Sequence, residues 1–565
     1  MSIRARAEAL LTAPRLPLWV ALGAVLLALP SLAGGFMLDD HGLAWLVDSG
    51  VPSWDLFAFW RWGSVPELQE RGFSSWWTSP DFHIGFMRPI SSVGHALDFT
   101  LWPRAAWAMH AHSALLYGAL CGLTALLYRR LGMPLLAAGI AALLFAVDDV
   151  HAQTAGWISG RNAIVAAIPA FAALWAHHRW RTQDWRHGAW LGPLLLALSL
   201  VSAEAGLACA GYLAAHALCL DGARWWRRLL ALAPYGAVLA VWQLAYRALG
   251  YGARGSGIYL DVAAHPLTFL TQSIEHAWVM GLAQLTLPLV TPLSLQPWGW
   301  LASALILGLL ALAVRPLLQR SALARFFGVG MLLSALPFGA TALSDRLLLP
   351  LGFGASGLLA LIAVAVRRGE LTGPFARWTD RGLLLFAGVL SPLLFVPSLF
   401  LTAAFERPVQ ALDALIPSQG VTVVVSVPLD ILMLYPEAYR HHSGGAWPDH
   451  VYTLHAGQGR LDVNRCGPRC LMLQADQGWL ASPLDRIGRA PDEPFHPGWV
   501  TGLERMTARV TRLTPDGRPQ AVAFLFDDDL DDIHFITWVE GAPQAWQPPA
   551  LDHTVSLDTR FVLGR

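Results

Sequence analysis

Two adjacent carboxylates, Asp39 and Asp40, stand a few residues beyond the first apolar stretch, in the run Phe36-Met37-Leu38-Asp39-Asp40-His41. A carboxylate costs about 2.5–3.5 kcal/mol at the centre of a membrane helix, so a pair at the lip of a span sits where water or a partner reaches it. That placement suits chemistry at a membrane surface; taken alone, the pair also reads as two solvated loop acids. A second pair, Asp148-Asp149, closes another apolar stretch with His151 just beyond it. The chain contains no Lys, which excludes Schiff-base and lysine-base chemistry and leaves Arg as its permanent cation. Arg binds phosphate through a planar fork of donors, so a phosphate-bearing substrate is open.

The elements that must hold these groups are membrane helices. With 565 residues, 55% hydrophobic and 14% charged, and a mean hydropathy of +0.46, the chain is too apolar for a soluble globule. Formal charge is zero, which gives no basic excess to attract nucleic acid. Arg4, Arg6 and Arg15 precede the apolar run 16–32 and place the N-terminus in the cytoplasm by the positive-inside rule. Ten further crossings are expected at about 107–127, 133–147, 162–178, 189–203, 205–220, 229–249, 299–314, 326–342, 347–366 and 382–404, with 269–292 re-entrant or interfacial. Eleven crossings put the C-terminus outside.

Residues 36–106 form a Trp-dense external loop expected to lie on the membrane. Within it Ile90, Val93, Leu97 and Leu101 recur at helical spacing, as in an interfacial amphipathic helix. Short β-rich runs such as 421–427 and 521–526, with Thr514 to Gly517 as a turn, mark residues 405–565 as a separate extracytoplasmic domain, periplasmic in a bacterial inner membrane. The acidic run 527–532 reads as a solvated turn. Cys466 and Cys470 frame Gly-Pro-Arg there, a spacing that suggests a disulfide in an oxidising compartment.

The external features together resemble the GT-C superfamily of polyprenyl-phosphate-sugar glycosyltransferases, in particular bacterial relatives of the transmembrane and tetratricopeptide-repeat O-mannosyltransferases. The resemblance covers most of residues 30–366 and rests on Leu38-Asp39-Asp40-His41, Met87-Arg88-Pro89-Ile90-Ser91, Ala96-Leu97-Asp98-Phe99, His110 and His112. It continues through the helix 141–146 running into Val150-His151 and Gly156-Trp157-Ile158-Ser159-Gly160-Arg161. Ser202-Ala203-Glu204 and Ser344-Asp345-Arg346-Leu347-Leu348-Leu349-Pro350 are similar to two later family motifs, with Ala203 in place of a Lys. Asp148-Asp149 replaces the family's His-Pro, Gln153 replaces its Glu, and tetratricopeptide repeats are absent.

The resemblance implies a mainly α GT-C-like membrane domain over residues 1–404, followed by the β-rich domain. It further implies transfer of a sugar from a polyprenyl-phosphate donor to a glycan, lipid or protein acceptor, with inversion. In that scheme Asp39 or Asp40 is the base, and Arg88, Arg161 and Arg346 are candidates for the donor phosphate. Asp148, Asp149, His151 and Glu204 are acceptor or supporting residues, with Glu204 able to pair with Arg161. A divalent cation held by the four Asp residues, an acceptor contact and a plain loop all remain open for Asp148 and Asp149. No firm cofactor and no assigned metal ligand follow. A lipid or glycan transporter and a non-catalytic envelope scaffold stand as alternatives, although the ionisable groups lie on external loops rather than at midplane.

Overall fold

The apolar run after Arg15 forms the helix Leu16–Ala28, continued by a tight turn Leu29–Ala33 that Pro30 begins. It packs along the helix Ala106–Arg130, whose last turn carries Arg129 and Arg130 where the helix dipole favours cations. The contact is close because of Gly118: a Cβ there would lie 2.4 Å from Val25 and 2.8 Å from the Ala21 carbonyl. Small residues at such seams let membrane helices approach where no hydrophobic effect drives them together. The structure, a computed structural model, describes residues 2–286, 293 and 296–560.

Helices occupy each stretch expected to cross, among them Asn162–Gln183, Gly188–Leu200, Ala208–Cys219, Trp225–Ala248, Ala322–Ala335 and Leu349–Arg367. Among the described residues six are long and apolar enough to span, or seven if a bent pair counts as one. The count of eleven is therefore not reproduced by length and apolarity. Gly188–Leu200 and Gly299–Ala313, for example, are apolar but short. The expected re-entrant segment begins as the helix Pro266–Leu285, and its remainder, 287–292, lies outside the described residues.

The bent pair carries the site. Leu135–Ala146 and the segment Asp149–Gly156 meet at 46°. Asp148 makes the break, since its side chain accepts the Val150 N–H and opens a new turn. The redirected chain brings Trp157 and Ser159 back onto Met37 and Asp40.

The loop 36–106 packs against the C-terminal domain through two of its tryptophans. Trp76 and Trp77 are 2% and 1% exposed and join a core built mainly from residues 409–557. The Trp76 indole donates to the Leu454 carbonyl at 3.1 Å. Amphipathic tryptophans favour the headgroup layer only when no protein surface offers fuller burial, and here one does. The expected helix forms as Pro89–Leu101, with Ile90, Val93, Leu97 and Leu101 exposed while His95 and Asp98 are buried. A two-stranded ribbon, His83–Gly85 against Gly252–Arg254, ties this loop to the segment after the helix Trp225–Ala248.

The β-rich domain holds two sheets. The smaller runs in the order Ala542–Trp546, His534–Val539, Val421–Val424, His450–Thr453, with the last three mutually parallel. The larger is antiparallel, in the order Thr554–Thr559, Gly459–Gly467, Cys470–Ala475, Pro519–Phe526, Met506–Leu513, Val500–Gly502. Cys466 and Cys470 are joined by a disulfide across the hairpin between its second and third strands, with Cα atoms 5.1 Å apart. In the acidic run, Asp528, Asp529 and Asp531 pair with Arg505, Arg469 and Arg465 at 2.5, 2.7 and 2.9 Å.

Candidate active site

Asp39 and Asp40 open the helix Asp39–Asp48, where the N-terminal dipole favours carboxylates. Successive helical residues point in different directions, and the two acids part company. Asp40 turns inward: Oδ1 accepts the Ser159 N–H at 2.8 Å and the Ser159 hydroxyl, and Oδ2 accepts the Met37 N–H at 3.0 Å. Burial nevertheless lifts its carboxyl to about 7, against the Ser159 and Met37 hydrogen bonds that favour the charged form.

Asp39 faces an open cavity of about 330 Å³ that also exposes Arg88, Glu204 and Arg346. Burial raises its carboxyl, opposed by the Tyr435 hydroxyl and by the charges of Arg346 and Arg88. Tyr435 belongs to the C-terminal domain and donates to Asp39 Oδ1 at 2.9 Å. A second residue from that region fixes the turn before the pair. Leu38 adopts φ +48°, a conformation L side chains seldom take, and its N–H donates to Glu406 Oε2 at 3.2 Å. Glu406 Oε1 meets His41 Nε2 at 3.0 Å, a second contact on the first turn of the helix.

Of the three Arg residues lining the cavity, Arg88, Arg247 and Arg346, the first and last are placed by aromatic rings. The Arg88 guanidinium lies 4.3 Å from the Phe86 ring centroid and 5.0 Å from that of Phe57, and its Nε donates to Glu204 Oε2 at 2.7 Å. Glu204 also accepts from the Tyr246 hydroxyl at 3.3 Å. Arg346 sits over the Trp157 ring at 5.5 Å. Such arrangements hold a guanidinium at modest cost while leaving N–H donors for an anion. Trp242, Tyr251 and Tyr259 line the remaining wall.

Three sequence expectations need correction. Arg161 does not reach this cavity: it is 2% exposed, its guanidinium is paired with Asp98, and it also donates to the Met109 carbonyl at 3.3 Å. Glu204 accordingly pairs with Arg88, not Arg161. Asp148, Asp149 and His151 form a separate cluster with Gln284 and Ser391. Gln284 Nε2 donates to Asp148 Oδ2 at 2.6 Å, and Ser391 bonds the Asp149 N–H at 3.0 Å and its carboxylate. His151 Nδ1 lies 2.9 Å from the Phe145 carbonyl. Among the described residues Asp148 and Asp149 line a pocket that Asp39 does not share, so the four carboxylates are not arranged to hold one cation. Tyr435 and Glu406 carry no motif, and only their spatial contact reveals them.

No protein family and no curated protein is matched by the sequence. Among solved structures, the apo form of ArnT from Cupriavidus metallidurans aligns with a TM-score of 0.37 at 14% identity, over 74% of this chain and 84% of that one. ArnT bound to undecaprenyl phosphate aligns over the same shares, with a TM-score of 0.34 at 12% identity. The archaeal oligosaccharyltransferase AglB from Archaeoglobus fulgidus, in complex with an inhibitory peptide and a dolichol-phosphate, aligns with a TM-score of 0.38 at 12% identity over 77% of this chain and 64% of that one. Likenesses of this size do not by themselves fix an activity.

Proposed function

We propose that the protein is a GT-C-type integral-membrane glycosyltransferase that moves a sugar from a polyprenyl phosphate to an acceptor hydroxyl on the external face. The observation that carries this reading is the convergence of Asp39 with Arg88 and Arg346 on one cavity, from three motifs of the sequence resemblance. Asp39 takes the acceptor proton as the hydroxyl oxygen bonds to the anomeric carbon. The carbon–oxygen bond to phosphate breaks on the opposite side, and the phosphate leaves with the electron pair, giving inversion. Arg346, with Arg88, stabilises the charge that develops on the phosphate. The aromatic wall suits a sugar ring, whose C–H faces stack on such side chains.

On this reading the cavity and the C-terminal domain face the external side, with the N-terminus in the cytoplasm, as the Arg4, Arg6 and Arg15 cluster supports. The test is incubation of the purified full-length protein with a panel of radiolabelled polyprenyl-phosphate sugars. At least one donor should be hydrolysed or transferred, and Arg346→Ala should weaken donor binding about 10- to 100-fold, the worth of a charge-assisted contact. A panel that is neither bound nor turned over would contradict the reading.

A further inference from the structure

Away from this cavity, a second cleft of about 990 Å³ opens between the external loop and the C-terminal domain. Its lining is acidic, with Glu67, Glu70, Glu437, Asp449 and Glu504 against the single cation Arg71 among the described residues. Glu437 is 5% exposed. One of its oxygens is held by Arg71, while the other has no hydrogen-bond partner among the described residues.

At the rim, Glu70, His450 and Glu504 converge from three separate segments. Glu70 ends the helix Val65–Glu70, His450 begins the strand His450–Thr453, and Glu504 lies between Val500–Gly502 and Met506–Leu513. One ligand atom from each lies within 4.8 Å of the others. His450 Nδ1 is 3.2 Å from Glu70 Oε2, and Nε2 is 3.9 Å from Glu504 Oε2. From the convergence of one ligand atom per residue we infer a divalent-cation site formed by Glu70, a single ring nitrogen of His450, and Glu504, which fastens the external loop to the C-terminal domain.

Supporting bonds already orient the ligands. Glu70 Oε2 accepts from the Tyr452 hydroxyl at 2.5 Å, and Oε1 accepts the backbone N–H of Glu504 at 2.8 Å, which holds the Glu504 loop beside it. Outer hydrogen bonds of this kind orient the ligands of protein metal sites. One imidazole nitrogen with two carboxylate oxygens suits Zn²⁺ or Mn²⁺ better than Mg²⁺ or Ca²⁺, which favour all-oxygen sets. Bond lengths near 2.1 Å require the groups to draw together. Glu504, largely exposed, is free to make that movement.

The test is calorimetric titration of Zn²⁺, and separately Mn²⁺, into chelator-stripped full-length protein. One saturable site per chain is expected, weakened more than tenfold in both His450→Ala and Glu504→Gln. Zn²⁺ should raise the unfolding midpoint of the wild type and leave that of His450→Ala unchanged. Glu504→Gln alters an exposed loop and keeps the readout valid if His450→Ala fails to fold. No saturable binding of either ion, or binding that Glu504→Gln retains at full strength, would overturn the site. None of these readouts depends on glycosyl transfer.

Discussion

Asp39 and Asp40 are chemically identical neighbours with opposite surroundings. Asp40 is held by Ser159 and the Met37 N–H, so it organises the turn, whereas Asp39 has one oxygen on Tyr435 and looks into the cavity. A hydroxyl that donates to a carboxylate stabilises its charged form and lowers its pKa. Removing it in Tyr435→Phe should raise the Asp39 pKa beyond the rise that burial causes. The base works ionised, so activity is lost as pH falls through that pKa. The acid limb of the transfer rate in Tyr435→Phe should therefore move to higher pH, while donor affinity at high pH stays near wild type. A limb that does not move, in a variant that still turns over, would remove Tyr435 from the account. The acidic doublet was legible in the sequence because charge beside a span is rare. Its division of labour was not, since Tyr435 lies 396 residues away along the chain.

Among the elements, the bent helix pair and the amphipathic helix do most to shape the site, and Arg161 links them. Its buried pairing with Asp98 ties the helix Pro89–Leu101 to the Trp157–Arg161 turn, and the Met109 carbonyl adds the helix Ala106–Arg130. Breaking a buried ion pair from one side leaves the other charge uncompensated, at a cost of about 3–5 kcal/mol. Arg161→Ala should lower the unfolding midpoint sharply and reduce folded yield. A stable variant that has lost only donor affinity would restore Arg161 to the phosphate. The helical spacing of Ile90, Val93, Leu97 and Leu101 made the amphipathic helix Pro89–Leu101 readable, because period and exposure coincide. The number of crossings was not readable in the same way. An apolar window records composition, whereas several of these segments form short or broken helices, as at Gly188–Leu200, Gly299–Ala313 and the bend after Leu135–Ala146.

At the scale of the whole molecule, the expected division at residue 404 captures composition better than packing. Met37, Leu38, Trp76, Trp77 and Trp157, all from the N-terminal region, are buried in the cluster that forms the C-terminal core. Glu406 and Tyr435 in turn reach back to Leu38, His41 and Asp39. Hydropathy registers the change from apolar spans to alternating strands, but a contact between distant segments leaves no local period to read. The C-terminal domain is thus part of the site rather than an appendage, and the membrane helices alone would present Asp39 without its hydroxyl partner.

The central claim is that Asp39 is the base of a transfer reaction carried out at this junction. Its most direct test compares wild type with Asp39→Asn for both donor-lipid binding and sugar transfer, using whichever donor the wild type turns over. The amide keeps the size and much of the hydrogen bonding but cannot take a proton. Transfer should fall by about 10²- to 10⁴-fold, the usual contribution of a general base, while donor affinity stays near wild type. Transfer by Asp39→Asn at near wild-type rate would contradict the account.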